Sequence, residues 1–204
     1  MRIEYLHASK FGNGAMVAEE FTRQMAAKAV TVNVHHIRDA HPDRLPPADL
    51  YLFSSPGRMG KPIGGMRRFL KKARLPAGTR YAILTTEMAP QPDKKTGRIP
   101  TEEEQARWQR VRPIMNDILQ AAGLVNVAED KVLVTGLKGP LEEGWQQKVA
   151  AFVARIPLQG QGTDNGQEPA RAVPPHPMKG EAELVHSTPA GIGPEREQAR
   201  IDDG

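Results

Sequence analysis

The period of apolar and polar positions switches repeatedly between strand-like and helix-like along the first three quarters of the chain. Ile3 to His7 reads as a first strand, and from Gly14 the segment GAMVAEEFTRQMAAKA puts Met16, Val17, Phe21, Met25 and Ala29 at helical spacing. Val30 to Val34 is a second strand. The prolines of AHPDRLPPA mark a loop, after which Asp49 to Ser54 forms a near-continuous apolar strand of the kind buried on both faces of a parallel sheet. Gly64 to Ala73 is a helix with Met66, Phe69 and Leu70 inward, and Tyr81 to Thr85 is the next buried strand. Thr101 and Glu104 make a capping box that opens a helix of roughly twenty residues closed by Gly123, and Pro113 within it predicts a kink or interruption near Gln109. Val132 to Thr135 supplies a fifth strand and Leu141 to Ile156 a last amphipathic helix. Five strands alternating with helices predict an α/β three-layer sandwich around a five-stranded parallel sheet with right-handed crossovers.

Beyond Ile156 the pattern stops. Residues 158–204 are rich in Gly, Pro, Gln and Glu and contain no aromatic residue, so they lack the apolar surface to offset the entropy of ordering. The expectation is a folded domain over residues 1–157 and a disordered Pro/Gly-rich tail over 158–204. Charge divides at the same place: residues 1–157 carry a net +8 and residues 158–204 a net −4. Cysteine is absent, which excludes disulfides, thiolate metal sites and cysteine nucleophiles. The start of the chain breaks its apolar run too early for a signal-peptide core or a membrane span, so a cytoplasmic location is expected.

Two glycine-rich turns carry the chemistry. SKFGNG, Ser9 to Gly14, follows the first strand and opens the first helix, where free backbone N–H groups and the helix dipole favour an anion. Ser9 can donate a hydroxyl and Asn13 an amide, Gly12 and Gly14 permit close approach, and Lys10 and Phe11 complete the loop. The third glycine of a dinucleotide fingerprint is missing where Val17 stands, and no Gly-Lys-Ser/Thr follows as in a Walker loop. The second turn lies in SSPGRMGKPIGGMRRFL, Ser54 to Leu70, after the third strand. With strand order 2-1-3-4-5, the ligand crevice of an open parallel sheet falls between strands one and three, so both turns border one crevice.

These segments resemble known flavoproteins. HASKFGNGAMVAEEF is similar to the phosphate loop and first helix of flavodoxins, and SSPGRMGKPIGGMRRFL resembles a segment that runs past the flavin in quinone reductases of the tryptophan-repressor-binding-protein type. The similarity covers about residues 1–156. It implies a flavodoxin-like fold and bound FMN, with the phosphate on Ser9, Lys10, Phe11, Gly12, Asn13 and Gly14. The ring would lie between Ser55, Pro56, Gly57, Arg58, Met59 and Gly60 on one side and a loop of Thr85, Thr86, Glu87 and Met88 on the other. Phe11 and Gly14 stand where the family often has hydroxyl residues, so those phosphate contacts fall to backbone amides. Met59 and Met88 stand where flavodoxins commonly stack aromatic rings.

The implied activity is electron transfer, or reduction linked to a nicotinamide cofactor, through bound FMN. The basic core favours a reductase or a carrier for acidic partner proteins over a carrier with an acidic rim. Arg58 near the ring would stabilise the reduced, anionic flavin and Glu87 would do the reverse. The alternative is a binding module that keeps the fold without the flavin. His7, His35, His36 and His41 show no metal-like spacing, and the basic run Arg67 to Arg74 reads as a solvated helix face with too few aromatics for nucleic-acid binding. The connection after the fourth strand, about fifteen residues, is long enough to be functional or disordered. Truncation after Pro157 should leave the melting temperature within a few degrees; a much larger fall in a thermal scan would show that the last segment packs on the domain.

Overall fold

The computed structural model describes residues 1–158, and the tail expected over 158–204 lies outside the described residues from position 159 onward. The order of elements is β1 (Arg2–His7), α1 (Asn13–Ala26), β2 (Thr31–His36), β3 (Leu50–Ser54), β4 (Gly57–Arg58), β5 (Lys61–Pro62), α2 (Gly64–Lys72), β6 (Arg80–Met88), α3 (Glu102–Trp108), α4 (Val111–Ala121), β7 (Val125–Val134) and α5 (Trp145–Arg155). Five strands pair in the order β2-β1-β3-β6-β7, all parallel, which is the expected 2-1-3-4-5 once the small β4–β5 hairpin is set aside.

Alternation along the strands builds two cores. Ile3 and Tyr5 of β1, Leu50 and Leu52 of β3, and Ala82 and Leu84 of β6 pack with Val17, Phe21 and Met25 of α1 and with Val149, Phe152 and Val153 of α5. The intervening Leu6, Tyr51, Phe53, Tyr81 and Ile83 face the other way, onto Met66, Phe69 and Leu70 of α2 and Val111, Met115 and Leu119 of α4. Helices therefore cover both faces, as the two-sided apolar strands require. Leu158, one residue past the expected boundary, also packs against the first core.

Several boundaries differ from the sequence expectation. β7 begins at Val125 rather than Val132, because its polar residues Asn126, Glu129 and Asp130 sit on an edge strand and are satisfied by Asn116, Arg112 and Arg155. Leu141 makes an antiparallel bridge with Val134 instead of opening α5, which starts after Gly144 in the left-handed region (φ 71°). β6 runs on to Met88, so Thr85 to Met88 form the carboxyl end of a strand rather than a loop.

The expected break near Gln109 is present: α3 and α4 are separate helices, and Pro113 falls in the first turn of α4, where its missing N–H removes no helical bond. The capping box is present too, with the Glu104 amide donating to the Thr101 hydroxyl (3.2 Å) and the Thr101 amide to the Glu104 carboxylate (2.8 Å). Arg98 beside that carboxylate, with the Thr101 amide, holds it down to about 2.

The break seats the β4–β5 hairpin. The Arg110 amide donates to the Gly60 carbonyl (2.7 Å), and a Cβ on Gly60 would come within 2.1 Å of the Trp108 carbonyl oxygen. Gly60 also has φ +72°. Gly60→Ala should therefore lower stability by about 2 kcal/mol or more, against about 1 kcal/mol for Gly97→Ala, whose positive φ lies in open space. Equal small effects in chemical denaturation would show that the hairpin is not held against α3.

Candidate functional site

β1 ends at His7 between β2 and β3, with His7 in register with His36 on one side and Ser54 on the other. The chain then turns into α1 through Ala8 to Gly12. Gly12 caps the helix with φ 89°, and its amide donates to the Ser9 hydroxyl oxygen (3.1 Å), closing a tight turn. Gly14 is buried, and a Cβ there would lie 3.1 Å from the Ala8 carbonyl oxygen. Among the described residues, the amides of Lys10, Phe11, Asn13 and Gly14 donate to no protein acceptor. The first turn of α1 carries no acidic side chain, so the positive end of its dipole is left uncompensated.

The second wall comes from the segment after β3. Ser55 is fully buried, and its hydroxyl takes the Ile63 amide (3.3 Å) while donating to the Pro56 carbonyl (3.1 Å), which folds the hairpin back. Pro56 bridges to Thr86, and a Cβ on Gly57 would meet Val111 at 2.9 Å.

The third wall is the end of β6. Glu87 is buried, receives the Thr85 hydroxyl (2.7 Å) and lies 3.4 Å from Nε of Arg112, which reaches on to Glu129 (3.3 Å). Its charge is thus compensated from behind, at one end of a chain of ionic contacts leading to the surface. A fourth wall, from the loop after β7, went unnoticed in the sequence. Asn13 Nδ2 donates to the Lys138 carbonyl (3.2 Å), and Val134, Gly136 and Leu137 close the side of the crevice.

The resulting crevice holds about 270 Å³, close to the lower end of small-molecule sites. Ser9, Lys10, Phe11, Asn13 and Gly14 line it from the first loop. Pro56, Gly57 and Arg58 line it from the second, and Thr86, Glu87 and Met88 from β6. The other five expected residues do not line it: Gly12 faces open space at the helix cap, Ser55 and Thr85 are buried behind the wall, Met59 projects into solvent at the hairpin tip and Gly60 packs on Trp108. The sequence signal for the missed wall was TGLKGP after β7, a Gly/Pro-rich turn at the carboxyl end of a strand.

An open parallel α/β sheet with its crevice at the switch point is the flavodoxin-like fold, and solved structures of known proteins bear this out. Flavodoxin 2 from Bacillus cereus superposes with a TM-score of 0.57 at 16% identity, over 76% of this chain and 97% of that one. A flavodoxin from the domain Archaea gives 0.55 at 16% identity, over 76% and 96%. Rubredoxin oxygen:oxidoreductase from Desulfovibrio gigas gives 0.52 at 11% identity, the match covering 76% of this chain and 35% of the larger protein. No sequence-family model matches the chain, and no curated protein matches it by sequence. No helix among the described residues is long and apolar enough to cross a membrane, and no cluster of His, Asp and Glu among them could hold a metal ion.

Directly beneath the first loop, His7 is buried with its Nδ1 lacking a partner among the described residues, and its ring meets that of His36 edge-on at 5.2 Å. Burial, and secondarily His36, holds the His7 imidazole below its ordinary value. A base with a depressed folded value takes up its proton more readily when unfolded, so its contribution is full above the ordinary value of about 6.5 and is lost as pH falls below it. Stability should therefore fall as pH is lowered from 7 to 5, and His7→Leu should flatten that part of the profile. An unchanged slope in urea titrations would remove His7 as the cause.

Proposed function

We propose that the chain binds FMN in this crevice and serves as a redox protein. The observation that carries the reading is that, among the described residues, the amides of Lys10, Phe11, Asn13 and Gly14 donate to no protein acceptor at the start of α1, where a Cβ on Gly14 would press to 3.1 Å from the Ala8 carbonyl oxygen. A phosphate fits that set, since Ser9 adds a hydroxyl proton and Lys10 a positive charge. Phe11, Pro56, Met88 and Leu137 offer apolar surface to the flavin ring, and Thr86 and Glu87 border it. Bound FMN would supply one- or two-electron transfer at its ring.

The remaining work falls to the protein. Arg112 offsets the charge of Glu87, which limits how far that carboxylate disfavours added negative charge in the crevice, while Arg58 at the rim favours it. The basic balance of residues 1–157 suits an acidic partner protein or a nicotinamide cofactor as the other half of the redox pair. One feature supports the alternative of a flavin-free binding module: no Tyr or Trp lines the crevice.

A flavin-fluorescence titration separates the readings. The parent should bind about one FMN per chain, and riboflavin, which lacks the phosphate, more weakly. Ser9→Ala should weaken FMN by about ten-fold to a hundred-fold and leave riboflavin nearly unaffected. Equal loss for both ligands, or none, would mean that Ser9 to Gly14 does not hold the phosphate. No binding of FMN at high micromolar concentration would favour the binding module.

A further inference from the structure

Between Asp49 and Glu87 the chain carries eight Lys and Arg residues and no carboxylate. The fold gathers several of them beside the flavin crevice but outside it. A second concavity of about 580 Å³ lies between the first loop, the segment after β2 and α2. Lys10, Arg38, Arg58, Arg68 and Lys72 line it, together with His36, and among the described residues no Asp or Glu does. Among the described residues none of these five cations makes an ion pair or donates a side-chain hydrogen bond to protein. Elsewhere arginines do find partners, as Arg23 does in Glu20, Arg98 in Glu104 and Arg112 in Glu87.

Like charges converging in a concave pocket repel one another more than on a flat surface, because the low-dielectric walls focus their field. The cost is relieved by a bound counter-anion of matching charge. The floor is apolar, formed by Ile37, Ile63 and Phe69, and so offers a place for a ring. Three of the five cations are arginines, whose planar forks match phosphate oxygens in pairs. Gly65 in the first turn of α2 lines the same concavity, and the Arg68 guanidinium comes within 3.9 Å of where a Gly64 side chain would begin.

We propose that this concavity is a second phosphate-class site that binds a nucleotide, its phosphates on Arg38, Arg58, Arg68 and Lys72 and its base on the Phe69 floor. The size is within the range of small-molecule pockets. Ser9, Lys10, Arg58 and Ile63 line both concavities, so a nucleotide here lies against the wall of the flavin crevice. The inference does not depend on flavin binding, because Arg38, Arg68, Lys72 and the Phe69 floor belong to the second concavity alone.

Isothermal titration of the full chain with ADP, pyrophosphate and adenosine tests it, at low ionic strength and with and without FMN. ADP should bind most tightly, pyrophosphate next and adenosine least, and ADP affinity should fall steeply with added salt. Arg68→Ala with Lys72→Ala removes two exposed side chains that touch neither core nor flavin crevice. The double variant should lose about ten-fold or more in ADP affinity, with FMN affinity changed less than about two-fold. ADP binding no tighter than adenosine would overturn the proposal, as would a double variant that binds ADP like the parent. Displacement of ADP by FMN, with the double variant weakening both ligands alike, would also overturn it, since that places ADP in the flavin crevice. Binding of a single-stranded oligonucleotide without binding of ADP would make the patch a nucleic-acid surface instead.

Discussion

The structure depends on where β1 sits. It pairs with β2 on one side and β3 on the other, in register along its length, so its carboxyl end is flanked by two strands that run the same way. The chain leaving β1 enters α1, which covers one face of the sheet, and the chain leaving β3 enters α2, which covers the other. Two connections diverging from adjacent strand ends leave a gap that neither helix fills. Asn13 and Gly14 at the start of α1 line it, and among the described residues their amides lack acceptors because the first turn of any helix has none of its own. The site is therefore a consequence of topology, and the side chains around it adjust a cavity that the sheet order has already opened.

A second layer of support reaches the site from α3 and α4. The side-chain amides of Gln105 and Gln109 both approach the Met88 carbonyl, at 3.2 and 3.4 Å, and hold the end of β6. The interruption between the two helices presents the Arg110 amide to the hairpin, so the second and third walls of the crevice share one buttress. Gly57 and Gly60 are the contact points, and each lacks room for a methyl group. Close packing of this kind transmits small displacements, so changes at the α3–α4 junction should be felt at the crevice.

The legibility of the sequence followed the strength of its periods. Buried on both faces, β3 announced itself by an unbroken apolar run, and the α/β order and the two glycine-rich turns followed from local spacing. The length of β7 did not, since an edge strand satisfied by Arg112, Asn116 and Arg155 has no reason to look apolar. Thr85 to Met88 looked like a loop because strand pairing with β7 depends on partners far along the chain, Lys131 to Val134. The fourth wall was hidden for the same reason: the bond from Asn13 to Lys138 spans 125 positions, and no local pattern encodes it. The basic run on α2 looked like a solvated face, and only the fold brings Lys10, Arg38 and Arg58 to its side.

Electrostatics gives the region its direction. The dipole of α1, the bare start of α2 and the cations between them, unpaired among the described residues, all favour anions on one side of the sheet's carboxyl edge. We propose that the amides of the first loop hold the FMN phosphate, and backbone amide NMR reads those atoms directly. On adding FMN, the resonances of Lys10, Phe11, Asn13 and Gly14 should move most, and riboflavin should leave them nearly in place while shifting those of Thr86 to Met88. Shifts in the first loop that are the same for both ligands, or absent for FMN, would mean that these amides do not hold the phosphate.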